Sequence, residues 1–276
     1  MADARETDPK MPLLFVGHGS PMNAIEDNPC TNAWERVGNR VLAHGRPSAI
    51  LAVSAHWFTE GLFVSDAAAN RHIDDMYGFP KELYRVKYAP AGAPELARHV
   101  LELLNASPEV LRDGPARADG VSWGIDHGVW SVLCRMFPAA DIPVVMMSVD
   151  GRRAPEQLFA AGRALAPLRR EGVLILGSGN VVHNLRRCDF KMGDSAYPEA
   201  EAFDRSVADA ALAGDFPRAA DYRLHGDWRL ACGPADHFDP LPVALGAADP
   251  SEPVEVWNQA YQAGALSMTS FTFGEL

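Results

Sequence analysis

The sequence predicts an α/β fold, one domain whose sheet is covered by helices on both faces. Three observations predict it. Short continuous apolar runs recur along the chain, the pattern of strands buried on both sides. Segments with apolar residues at helical spacing lie between them. No stretch rich in Pro, Gly or Ser is long enough to divide the chain, and no internal repeat occurs.

The elements follow in order. Residues 1–10 read as a flexible tail, and the catalytic domain is expected over 11–276. Pro12 to Val16 form an apolar run closed by Gly17, a strand followed by a turn. Further strands are expected at Ala49 to Val53, at residues 142–150, at Val173 to Leu176 and at residues 266–273. Helical spacing appears in NAWERVGNRVLA after Pro29, near residues 95–106, and over 127–137, 155–172 and 195–214. Gly172 is a helix stop for the fourth of these.

A chain of 276 residues is long enough for one large domain with a sizeable core. Its 47% apolar and 22% charged composition is that of a globular protein. Lys plus Arg number 25 and Asp plus Glu 36, a net charge of −11. An acidic surface argues against nucleic-acid and anionic-membrane partners. Cys30, Cys134, Cys188 and Cys232 are far apart and form no CxxC pair, which excludes a zinc ribbon or thioredoxin-like motif. Sparse cysteine suits a reducing cytoplasm. The segment MADARETDPK is neither a signal nor a transit peptide, and no apolar run approaches the ~20 residues of a spanning helix. A cytoplasmic monomer or homodimer is expected.

The histidines carry the functional signal. His18 follows the first strand in GHGS, His56 the second in SAHW, and His183 the fourth in GSGNVVHN. Ligands of open α/β sheets bind beyond the carboxyl ends of the strands, so these residues can meet at one point. Neutral imidazole is the commonest protein ligand for zinc and iron. His237 lies in GPADHFDPLPVALGA, and spacing alone does not favour it over His225. His127 opens a helix in SWGIDHGVWSV, and a neutral imidazole there is a usable general base. His44 and His99 read as helix-face residues. GSGN and GHGS complete no phosphate-binding motif, and neither GxSxG nor HExxH occurs. Ser20 or Ser178 beside a histidine is the competing nucleophile.

Taken together, GHGSPMNAIEDNPCTNAW, VSAHWFTEG, YGFPKELYRVKYAPAGAPELA, WGIDHGVWSVL, IPVVMMSVD, GSGNVVHNLR and PADHFDPLPVALGA resemble, in order, motifs of the class III extradiol ring-cleavage dioxygenases. The nearest group is the bacterial and plant 4,5-DOPA dioxygenase type. The resemblance runs from about Met11 to the last strand. It implies a central, mostly parallel or mixed sheet flanked by helices, similar to the catalytic subunit of protocatechuate 4,5-dioxygenase. It implies one non-haem metal ion per chain, Fe(II) for activity and often Zn as isolated. The metal histidines it implies are His18, His56 and His237. His183 is either a further ligand or the acid/base residue, and His127 is a second catalytic histidine. The partners it implies are a small-molecule catechol and O2.

Two departures stand out. Better-studied relatives hold the metal with two histidines and a carboxylate, whereas His237 takes the third place here with Asp236 beside it. An all-histidine set also suits zinc, which keeps a zinc-dependent hydrolase on the same site as the alternative. Relatives often carry His-Asp-Phe before Tyr-Gly-Phe-Pro, where this chain reads His72-Ile73-Asp74-Asp75-Met76. In the expected reaction His183 takes a catechol proton, and His127 or His183 returns one as the ring opens. Trp57, Tyr77, Phe79 and Trp123 are candidate aromatic walls.

Overall fold

The computed structural model describes residues 10–276. The tail expected over 1–10 lies outside the described residues except for Lys10, whose ammonium pairs with Glu252 at 2.6 Å. Among the described residues ten strands occur: β1 Leu13–Gly17, β2 Ala49–Thr59, β3 Phe63–Val64, β4 Arg117–Ala118, β5 Val144–Asp150, β6 Val173–Gly179, β7 Val254–Trp257, β8 Tyr261–Gln262, β9 Leu266–Ser267 and β10 Ser270–Phe273. Helices are α1 Pro29–His44, α2 Pro94–Ala106, α3 Pro108–Leu111, α4 His127–Met136, α5 Pro155–Leu165, α6 Pro198–Leu212, α7 Phe216–Ala220, α8 Trp228–Ala231 and α9 Pro240–Ala247. Pro opens α1, α2, α5, α6 and α9, at the helical position where its missing N–H costs nothing.

Eight strands form one sheet in the order β4-β3-β5-β2-β6-β1-β10-β7. The central four, β5, β2, β6 and β1, are parallel. Antiparallel pairings of β10 with β1 and of β3 with β5 make the sheet mixed, as expected. Successive side chains of a strand point to opposite faces. Leu13, Phe15, Leu51, Val53, Val145 and Met147 accordingly enter a core with α2, α5, α6 and α9. Leu14, Val16, Ile50, Ala52, Val144 and Met146 enter a second core with α1 and α4. The continuous apolar runs are therefore strands buried on both faces.

Boundaries differ from expectation at several places. β2 continues through His56 to Thr59 rather than ending at Val53. The strand expected at 142–150 begins at Val144, and the helix expected at 195–214 begins at Pro198. The helix expected at 155–172 gives way after Leu165 to a 3-10 turn, which Gly172 closes at φ 79°. The last run is broken between β9 and β10. The chain turns at Met268–Thr269, where the Ser270 hydroxyl donates to the Met268 carbonyl at 2.8 Å.

Candidate metal centre

The carboxyl ends of β1, β2 and β6 converge on one point. At the end of β1 the His18 N–H donates to the Gly179 carbonyl at 3.1 Å, which ties this histidine to the end of β6. His56 sits in an irregularity of β2. Register passes from Val53 opposite Met147 directly to Phe58 opposite Val149, so the residues between leave the ladder with β5. The His56 N–H donates to Ser54 Oγ at 3.2 Å, and that hydroxyl donates to Asp126 at 2.8 Å. His237 arrives on a 3-10 turn, Ala235–His237. The Asn180 N–H donates to the His237 carbonyl at 2.8 Å. Only glycine permits this approach, because a Cβ at Gly179 would lie 2.1 Å from the same oxygen.

Three ring nitrogens meet there. His18 Nε2 is 3.2 Å from His56 Nε2, which is 3.3 Å from His237 Nε2. The tautomers follow from the other ring nitrogens. Ser178 has one hydroxyl proton and directs it to the Gly128 carbonyl at 2.5 Å. Its oxygen therefore accepts from His18 Nδ1–H at 3.0 Å, leaving a neutral His18 with a bare Nε2. The Asp75 carboxylate accepts His56 Nδ1–H at 2.7 Å and bares that Nε2 as well.

Electrostatics agree with the geometry. Burial, then the charges of neighbouring histidines, pushes His18 and His237 well below the usual imidazole value. Burial acts the same way on His56, but the Asp75 hydrogen bond and nearby carboxylates outweigh it and raise its pKa. Burial opposes ionisation of Asp75, yet the imidazoles of His127 and His56 beside it hold it well below the usual carboxylate range.

The donor set fits a divalent ion. Zn–N bonds of about 2.0–2.1 Å in a tetrahedron give donor separations of roughly 3.3–3.4 Å, close to those between the imidazoles. Three converging lone pairs repel one another, and a cation resolves that repulsion. His237 Nδ1, buried and without a hydrogen-bond partner among the described residues, lies 3.3 Å from Asp236 Oδ1.

His127 and His183 flank this set on different sides. His127 is the first residue of α4, which Asp126 caps by accepting the Val129 N–H at 3.2 Å. Its ring centroid is 3.9 Å from that of His56. A Cβ at Gly128 would lie 3.1 Å from His56 and 3.2 Å from His18, so the helix start is shaped around both rings. The His183 ring is stacked on His237, centroids 3.4 Å apart and planes 7° from parallel. Burial lowers its pKa to about 4.

Other candidates lie elsewhere or are committed. The His225 ring is held by Ser206 and the Arg218 carbonyl. His72 accepts the Tyr88 N–H and packs on Trp130, away from the donor set. Ser20 caps a 3-10 turn, and the only proton of Ser178 is spoken for. Trp57 packs in the core and Tyr77 is exposed. Trp123 borders it by donating to Asp126 at 2.9 Å. Sequence reasoning assigned nothing to Asp75 or Gly128, although Gly128 stands in the DHG motif, and it read Ser178 as a competing nucleophile rather than as the residue that orients His18.

Comparison with known proteins supplies the context. Residues 12–274 match the family described as the catalytic LigB subunit of aromatic ring-opening dioxygenase. The chain is 41% identical to a 4,5-DOPA dioxygenase extradiol of Escherichia coli (strain K12), over 96% of this chain and 95% of that protein. Against a 4,5-DOPA dioxygenase extradiol of Beta vulgaris the identity is 35%, over 94% and 95%. The crystal structure of an uncharacterized protein from Escherichia coli K12 superposes with a TM-score of 0.80 at 38% identity, covering 96% of this chain and 100% of that one.

Proposed function

This chain belongs to the family of the catalytic LigB subunit of aromatic ring-opening dioxygenases, and on that premise we propose that it cleaves a DOPA-like catechol at one non-haem iron(II) held by His18, His56 and His237. It is an oxidoreductase, an extradiol ring-opening dioxygenase. The observation that carries the site is the meeting of three imidazole Nε2 atoms, two of them bared by Ser178 and Asp75. Bound iron(II) supplies the positive charge that acidifies a catechol and the redox chemistry that O2 demands.

The remaining work falls to His183 and His127. Imidazole lone pairs lie in the ring plane. The rings of His183 and His237 lie in nearly parallel planes, and parallel planes share no point. A metal on the His237 lone pair is therefore out of reach of those of His183, which supports acid/base chemistry over ligation. Burial holds His183 neutral at pH 7, ready to take a catechol proton. His127, with its Nδ1 3.0 Å from Asp75, faces the site from α4 and returns a proton as the ring opens. Among the described residues no helix is long and apolar enough to cross a membrane. All four cysteines are free, which supports the reducing cytoplasm as its compartment.

The test is anaerobic loading with Fe(II), then air and a panel of catechols that includes DOPA. A yellow ring-opened product with one O2 consumed per ring is expected. No turnover of any catechol by the iron form, with hydrolysis by the zinc form, overturns the proposal.

A further inference from the structure

The donor ring of His18, His56 and His237 holds no carboxylate. Three neutral imidazoles leave the full double charge of a divalent ion uncompensated. Two histidines and a carboxylate, the set that suits iron(II) oxygenases, leave a single positive charge. One hydrogen bond behind the ring stands Asp75. Its Oδ2 accepts His56 Nδ1–H at 2.7 Å. Its Oδ1 accepts the backbone N–H of His127 at 2.8 Å, at the positive end of α4. His127 Nδ1 lies 3.0 Å from Oδ2, off the line of a hydrogen bond. One carboxylate thus touches a proposed metal ligand and a proposed catalytic histidine at once.

The loop that carries Asp75 is pinned for this purpose. Ile73 N–H donates to the Ile125 carbonyl at 3.0 Å, and Ile125 N–H to the Arg71 carbonyl at 2.7 Å. The Trp130 indole donates to the Ile73 carbonyl at 3.0 Å. Ile125 stands two residues before His127, so these bonds hold the Asp75 loop and the start of α4 in one register.

We propose that Asp75 is a positioning residue that supplies through His56 the negative charge a carboxylate ligand would supply directly, while aligning His127. A carboxylate behind a ligating imidazole fixes its tautomer and raises its basicity, and loss of such a partner costs about 10–100-fold in metal affinity or activity. The proposal rests on the reading of His18, His56 and His237 as ligands.

The test uses the full chain, Asp75→Asn and Asp75→Ala. Asn is isosteric and uncharged but has one acceptor oxygen, so it keeps the bond to His56 or the bond to the His127 N–H and not both, while Ala keeps neither. Zinc affinity is measured by chelator competition, without catechol or O2. Histidine nitrogen–proton correlation spectra report the His56 tautomer. Zinc affinity should fall about 10–100-fold in Asp75→Asn, and the Nδ1–H signal of His56 should move upfield in both variants. At saturating Fe(II), kcat should fall at least about 10-fold with KM little changed, because Asp75 touches enzyme groups only. Zinc affinity of Asp75→Asn within about threefold of the unchanged protein overturns the proposal. If the unchanged protein binds no zinc, the ligand assignment falls instead. If it binds zinc but opens no catechol with iron, only the function falls.

Discussion

Replacing Gly179 by Ala tests how His237 is held. The new Cβ would sit 2.1 Å from the His237 carbonyl oxygen and 3.2 Å from its carbon, both backbone atoms that no rotamer change can move. Reaching a tolerable separation requires the Ala235–His237 turn to retreat by about 1 Å, because packed interiors absorb little. Overpacking of this kind costs about 1–3 kcal/mol. The Asn180 N–H to His237 carbonyl bond is strained by the same movement, adding about 0.5–1.5 kcal/mol. The total is about 2–4 kcal/mol. At about 2 °C per kcal/mol for a chain of this size, Tm falls by about 4–8 °C. Metal donors tolerate displacements of only about 0.2 Å, so zinc affinity should fall as well, by about tenfold or more. Differential scanning calorimetry and chelator competition read the two effects. Ala at Gly128 is the contrast, since its Cβ would meet only side-chain atoms at 3.1–3.3 Å and should cost far less stability. A Gly179→Ala protein with unchanged Tm and unchanged zinc affinity would refute the reasoning.

Three further outcomes are expected. His183→Ala should keep zinc affinity while kcat with iron falls at least about 100-fold, and loss of zinc along with the side chain would make His183 a ligand. Arg169 is fully buried and donates to the Met11, Ala247 and Phe273 carbonyls and to Glu252, joining the approach to β1, the end of β10 and the end of α9. Arg169→Met should cost about 3–5 kcal/mol in urea unfolding, and a loss under about 1 kcal/mol would contradict the role. Burial raises the pKa of Asp204 despite donation from Thr269, Ser267 and Tyr261. The folded state then holds this proton more tightly than the unfolded chain, so its contribution is full below the unfolded pKa and is lost as pH rises through the folded value. The Tm difference between Asp204→Asn and the unchanged protein should therefore grow more positive as pH rises above about 4, the unfolded carboxylate value, and a constant difference would argue otherwise.

The fold was legible because the central strands are buried on both faces. Leu13 to Val16 and Val173 to Leu176 have no solvent face, so each reads as an unbroken apolar run. The strands β3 and β4, Phe63–Val64 and Arg117–Ala118, are two residues each, too short for any periodicity to register. His18 was readable from its place at a strand end. His56 was readable as a residue but not as a bulge, since the break between Val53 and Phe58 is defined against β5. His237 needed the family resemblance, because its turn is placed by Gly179 and Asn180 of another element. Asp75 was hidden for the same reason. What aims it at His56 is the backbone pairing of Ile73 with Ile125, distant in sequence.

These supports divide the site into two frames. The first is the start of α4. Its Gly128 carbonyl takes the proton of Ser178, which orients His18. Its His127 N–H and its Asp126 carboxylate hold, through Asp75 and Ser54, the His56 side chain and backbone. The second frame is the end of β6 with the C-terminal segment. Gly179 and Asn180 set His237, while Asn180 also donates to the Ser267 carbonyl at 2.7 Å and Asn184 N–H to the Ala265 carbonyl at 3.0 Å, which fixes the loop of His183. His56 belongs to the first frame, His237 and His183 to the second, and His18 is held by both, its ring through Ser178 and Gly128 and its backbone by the Gly179 carbonyl. A metal bound by His18, His56 and His237 bridges the two, so its binding energy opposes their separation and adds to stability by mass action. An ion in this site is then part of the fold as well as of the chemistry, and damage to either frame should weaken metal binding before it unfolds the sheet.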